Sequence, residues 1–265
     1  MFQRETGWPT AIARARKLSV ELTQGLLCKR PKARTQELTV ETCSIHQANL
    51  KVTQLKAAAK RYQASVQDFM MAAQVEAIAE VFHESPGRRL KPSQILAVNS
   101  MIDLRRYADG RIDNTIGQFL GMLAVRPSAR TAADFSSLID FVKHRNERSK
   151  QRREFFWVIN SMSLMARLWD LAPLSINRDF ARKLYPFVCA LSNVRLAAPV
   201  LEFISDGVIT NYFRGANLGV LVPLMLSNTT VGDTFNLCTT HKASVYSVEE
   251  VSQFIDCIRR RIELA

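Results

Sequence analysis

An α/β protein, a mixed β-sheet covered by helices, is what this sequence predicts, and three observations predict it. Short segments of alternating or continuous apolar residues are interleaved with longer stretches of helical periodicity. Their order is strand, two helices, two strands, helices, several strands and a final helix, which neither a helical bundle nor a sandwich produces. The 265 residues, 47% of them hydrophobic, suffice to bury one large core.

Residues 1–36 read as a basic amino-terminal arm, with Arg14, Arg16, Lys17, Lys29, Arg30 and Lys32 among its cations. Thr10 to Leu27 is partly amphipathic, and Pro31 among charges argues against regular structure after it. Residues 37–265 read as the folded lobe. Glu37 to Ile45 alternates Leu38, Val40 and Thr42 with polar neighbours and suits a strand. Asn49 then introduces a helix through Lys60, with Val52, Leu55, Ala59 and Tyr62 as its apolar stripe.

A second helix runs from Ser65, a capping residue, to His83, and Ser85-Pro86-Gly87 ends it. Gln94 to Asp103 and Phe119 to Val125 read as strands around a turn-rich segment, Tyr107 to Asn114. Thr131 to Arg148 and Phe155 to Leu171 have helical periodicity. Phe187 to Leu191, Val208 to Tyr212, Leu218 to Leu226 and Thr234 to Thr240 read as strands. Ser247 starts a closing helix with Glu249 and Glu250 in its first turn.

The net charge of +12 invites an anionic partner, but the cations concentrate in the arm and in a second cluster, Lys143 to Arg153. Neither cluster interleaves aromatics or accompanies a zinc-finger or RNA-binding signature, which argues against nucleic acid. Five cysteines, odd in number and widely spaced, offer no disulfide framework and no metal site; they fit reduced thiols in a cytoplasmic protein. No apolar run is long enough for a transmembrane segment. Phosphate-loop and dinucleotide-binding motifs are missing.

Five pieces then occur in a suggestive order. They are Leu55 to Ile78, a helix, turn and helix; Asn99 to Arg105, a strand ending in Leu-Arg; Ile116 to Arg126, IGQFLGMLAVR; Phe187 to Leu196, FVCALSNVRL; and the tail Gly219 to Leu264. From about Glu41 onward the chain resembles the carboxy-terminal lobe of the chloramphenicol-acetyltransferase-like superfamily of CoA-dependent acyltransferases. That superfamily includes peptide-synthetase condensation domains, wax-ester synthases and alcohol acyltransferases.

The resemblance implies a single acyltransferase-like lobe in which Ser192 assists an oxyanion and Gly117, Phe119, Arg126 and Asn193 belong to the channel wall or lobe interface. One departure stands out. Gly121-Met122 occupies the place where condensation domains usually have Asn-Thr. A lone lobe would also leave parts of the segments from Ile116 to Val125 and from Phe187 to Leu196 facing solvent.

The superfamily's catalytic signature, two adjacent histidines followed after three residues by Asp-Gly, belongs to the other lobe and does not occur here. The four histidines, His46, His83, His144 and His241, are scattered over different elements and read as structural or exposed. Cys238 and His241 are three positions apart on a strand, so they face opposite ways and cannot form a nucleophile and base pair. The cluster from Lys143 to Arg153 suits phosphates of coenzyme A or, more simply, a solvated helix end.

Two functions remain open. One is a partial acyl-transfer enzyme that uses coenzyme A or a carrier thioester as substrate and holds no permanent cofactor. It would be completed by a protein bearing the missing lobe or by self-association. The other is a non-catalytic binding or scaffold protein derived from such a lobe.

Overall fold

A computed structural model describes residues 19–20, 23, 25–31, 43–85, 89–107, 119–156, 186–195, 211–216, 218 and 222–264. They form the mixed sheet covered by helices that the sequence predicts. The strands are β1 (Cys43–Lys51), β2 (Ala97–Asp103), β3 (Leu120–Val125), β4 (Phe187–Arg195), β5 (Leu224–Val231) and β6 (Thr234–Lys242). The helices are α1 (Val52–Arg61), α2 (Val66–Glu84), the single turn α3 (Ala129–Ala132), α4 (Phe135–Gln151) and α5 (Val248–Leu264).

The strand order is β1-β6-β5-β4-β2-β3. The central pairs β2–β4 and β4–β5 are parallel, and the outer pairs β1–β6, β5–β6 and β2–β3 are antiparallel. Parallel strands need long crossovers and burial on both faces, and β4 accordingly is buried from Phe187 through Leu191. The tight β5–β6 hairpin turns at Gly232-Asp233, where Gly232 takes the positive φ that a two-residue turn demands.

Helix α2 is the hub of the core. It is buried nearly all round, with Phe69, Met70, Met71, Val75, Ile78 and Phe82 inaccessible, because the sheet lies beneath it and α4 and α5 flank it. Ser65 caps it, its Oγ accepting the Asp68 N–H at 3.1 Å. Asp68 in turn accepts from Asn146 Nδ2 of α4 at 2.6 Å. Gln74, wholly buried, donates to Ala190 O of β4 at 3.2 Å and stitches helix to sheet. Glu80 pairs with Arg260 at 2.6 Å and Glu76 with Arg261, tying α2 to α5. Ser247 and Glu250 exchange backbone–side-chain hydrogen bonds at the start of α5, as a capping box does.

Several boundaries differ from the sequence reading. The first strand runs to Lys51 instead of ending at Ile45, because all nine of its residues pair with β6, out to Lys51 opposite Thr234. Helix α1 therefore starts at Val52, not Asn49. The strand expected over Leu218 to Leu226 is displaced to Leu224–Val231, beginning after Pro223 and held by pairing on both sides. Asn211 and Tyr212, expected at a strand end, have irregular backbone. The expected helix from Phe155 opens as a short 3-10 turn, Glu154–Phe156, and the rest of it lies outside the described residues, as do Glu37 to Thr42.

Candidate functional site

Strand alternation sends side chains to two faces, and among the described residues helices α1, α2, α4 and α5 pack against one of them. On the helix-covered face stand Val98, Leu191, Leu226, Leu237 and Leu50, all in the main core. The opposite face carries Asn99 and Met101 of β2, Met122 of β3, Ser192 and Val194 of β4, Ser227 and Thr229 of β5, and Cys238 and Thr240 of β6. It is a floor of small polar groups and thioethers, with exposed Leu120 and Val194 at its rim. Residues 211–216 lie across part of it, where the Ala216 N–H donates to Thr240 Oγ1 at 3.1 Å.

Arg214 is the dominant group on this face. Its Nε donates to Thr229 Oγ1 at 3.0 Å, and its Nη2 donates to Asn228 O at 3.0 Å, to Ser192 O at 3.1 Å and to Ser192 Oγ at 3.4 Å. These neutral acceptors on two parallel strands fix the guanidinium. Among the described residues no carboxylate pairs with it. Burial pulls its pKa below the ordinary arginine value, with Tyr212 and Cys238 opposing the shift. Burial likewise pushes the Cys238 thiol up, against the lowering effect of the Arg214 backbone hydrogen bond and charge. Cys238 is thus a buried thiol and not an activated nucleophile.

The residues singled out from the sequence do not form one cluster. Ser192 is half-buried under Arg214. Asn193, its neighbour, points to the other face, where its Oδ1 accepts from Asn228 Nδ2 at 2.8 Å. Phe119 precedes β3 and lies under the Arg105 guanidinium, 4.9 Å from ring centroid to Cζ. Arg126 follows β3, about 20 Å further along by strand rise. Gly117 lies outside the described residues.

The unusual Gly121 has a packing reason. A Cβ there would come within 2.7 Å of Leu104 Cδ2 and 3.2 Å of both Ile102 Cγ1 and Phe155 Cβ. Any larger residue there, asparagine included, requires the Leu104 side chain to move.

All four histidines lie away from the Arg214 face. His46 and His241, distant in sequence, come together on the helix-covered side of neighbouring strands, with ring centroids 5.3 Å apart. His83 ends α2, and His144 is exposed on α4 with Nδ1 2.8 Å from Asp140 O. His241 and Cys238 do face opposite ways, as alternation requires. The basic residues Lys143 to Arg153 gather at the carboxy-terminal end of α4, where Lys143 donates to Tyr62 O at 3.1 Å and Arg145 pairs with Glu154 at 2.9 Å. That end belongs to the helix layer, away from Ser192. Among the described residues, no helix is long and apolar enough to cross a membrane and no group of three His, Cys, Asp or Glu could hold a metal ion.

Sequence reasoning missed Arg214. The signal was present, since Arg214 is the lone charged side chain between Asp206 and Asp233, and a single cation in such a stretch demands a specific environment.

Comparison with known proteins bears on the fold. No protein-family model matches the chain, and no curated protein matches it in sequence. Solved structures do share its fold. The trichothecene 15-O-acetyltransferase of Fusarium sporotrichioides aligns with a TM-score of 0.64 at 14% identity, over 94% of this chain and 52% of that one. The condensation domain that mediates chain release from the enacyloxin polyketide synthase aligns at 0.59 and 11% identity, over 96% and 48%. The wax ester synthase/diacylglycerol acyltransferase of Marinobacter aquaeolei VT8 aligns at 0.55 and 14%, over 99% and 58%. The chain therefore spans about half the length of these proteins and shares their fold, as the sequence resemblance implied.

Proposed function

We propose that this chain is one lobe of a partner-dependent acyl-transfer protein, with the sheet face that carries Ser192 as part of the wall along which an acyl thioester and its acceptor meet. The observation that carries this reading is the pairing of a shared acyltransferase fold with a half-buried Ser192 held under a fixed cation. Arginine can only donate, so Ser192 Oγ accepts from it and keeps its own proton available for a developing oxyanion. Arg214 makes that hydroxyl a better donor.

The proton acceptor must come from elsewhere, since none of the four histidines stands on this face. A lobe carrying the histidine motif is the partner this reading calls for, since a second copy of this chain apposing the same face would bring no histidine to it. Coenzyme A or a carrier thioester is the donor substrate, and no permanent cofactor takes part. The location of the histidines also favours a second reading, a binding or scaffold protein that keeps the lobe without the reaction.

The two are separated by thiol release from acetyl-CoA and longer acyl-CoA esters, measured for this chain alone and for the longest translation product of its gene. The first reading expects background release from the chain alone and acceptor-dependent release from a product that includes a histidine pair. Background release from both supports the scaffold. Rapid acceptor-dependent release by the chain alone would overturn partner dependence.

A further inference from the structure

Arg214 is held by three residues, and among the described residues it has no counter-ion. Its Nε and Nη2 are committed to Thr229, Ser192 and Asn228, while no acceptor among the described residues takes the protons of Nη1. A half-buried guanidinium surrounded by neutral groups keeps most of its field unspent and attracts an anion strongly. Its rigid seating across β4 and β5 means that little side-chain entropy remains to be lost on binding.

The surroundings narrow the anion's class. Ser100 pairs with Leu191 in the parallel register, so Met101 falls beside Ser192, and Met122 lies directly opposite Met101. Both methionines are half-buried, and the exposed Val194 and Leu120 border them. Thioethers make a pliable apolar floor that accepts hydrocarbon of varied shape. One cation beside such a floor neutralises one negative charge. A phosphate dianion would leave a net charge in a partly desolvated site, whereas a carboxylate would not.

We propose that the Arg214 face binds an organic monocarboxylate with an apolar body, its carboxylate on the guanidinium and its hydrocarbon over Met101 and Met122. This ligand class rests on reading the face as a substrate wall, and the bound carboxylate would stand on the guanidinium that also holds Ser192.

The test is a titration of this chain with sodium octanoate, sodium acetate and inorganic phosphate, followed through the Arg214 Nε–H resonance, which reports on the site without a variant. Octanoate should shift that resonance saturably, about tenfold or more tighter than acetate because of the added hydrocarbon burial. Phosphate should bind no tighter than acetate. Arg214→Gln should abolish the octanoate response at the neighbouring Ser192 and Thr229 amides, and Arg214→Lys should retain part of it. An Arg214 resonance that octanoate leaves unmoved, or octanoate binding that survives Arg214→Gln, overturns the proposal. Phosphate binding tighter than octanoate overturns the monocarboxylate assignment. Acyl transfer is read separately by thiol release, so either idea can fail while the other stands.

Discussion

The two faces of the one sheet differ in kind. Under the helices, Leu191, Leu226 and Leu237 meet Phe69, Ile78 and Phe254 in a closed apolar core. On the opposite face, one residue away along the same strands, Ser192 and Thr229 hold a cation that no carboxylate among the described residues pairs with, and Val194 and Leu120 at the rim are exposed. The difference teaches where the chain keeps its stability and where it keeps its freedom. The covered face has dispersion contacts and burial to hold the fold. On the other face Ser227, Thr229, Cys238 and Thr240 are buried too, while Val194 and Leu120 at its rim are exposed.

Truncations give the sharpest contrast. Phe69→Ala, deep in α2, should cost about 3–5 kcal/mol in denaturant-induced unfolding, since it leaves a cavity that rigid neighbours cannot fill. Ser192→Ala on the other face should cost less than about 1 kcal/mol. Equal losses at the two sites would break the distinction between a folding face and a functional one.

A smaller effect is expected from overpacking. Gly121→Ala puts a methyl against Leu104, Ile102 and Phe155, and should destabilise by about 1–3 kcal/mol in the same measurement. If Gly121→Asn were tolerated without loss, the departure from the condensation-domain pattern would need a functional explanation. Asn146→Ala removes the hydrogen bond to buried Asp68 and should cost about 1–3 kcal/mol, with no effect on octanoate binding across the sheet.

The smallest effect concerns the thiol at the α2–α5 contact. Burial, then its hydrogen bond to Glu80, pushes Cys257 up to about 12. Alkylation of Cys257 by iodoacetamide should therefore keep rising between about pH 8 and 10, where an exposed cysteine of pKa near 8.5 levels off. Because the folded pKa exceeds the unfolded one, the folded state holds the proton more tightly. The associated stability is complete below about pH 8.5 and declines as pH rises toward 12. Levelling near pH 9 would show that Cys257 is exposed and the α2–α5 contact open.

Much of this was legible in the sequence where local signals agree. Ser65 before a helical apolar stripe marked the start of α2, and Ser247 with Glu250 marked α5, because capping is chemistry among near neighbours. The limits of β1 and β5 were not legible, since their ends are set by partners far along the chain. The site divided similarly. Ser192 could be picked out from its strand, but its separation from Asn193 onto the opposite face follows from alternation that a motif match ignores. The pairing of His46 with His241 and the placement of Arg214 over two parallel strands are long-range events, which periodicity within a segment does not encode.

The pairing of Cys43 with Lys242 at one end of the β1–β6 ladder also constrains how the chain is made. During synthesis, β1 and the apolar α2 emerge well before their sheet neighbour β6 and their helical neighbour α5. Helix α2 must wait uncovered until they follow, so contacts of high sequence separation make folding slow and leave nascent chains exposed to aggregation. Ribosome-stalled chains ending before residue 242 are expected to be protease-sensitive throughout α2, and protection there should arrive only once α5 is free to close over it.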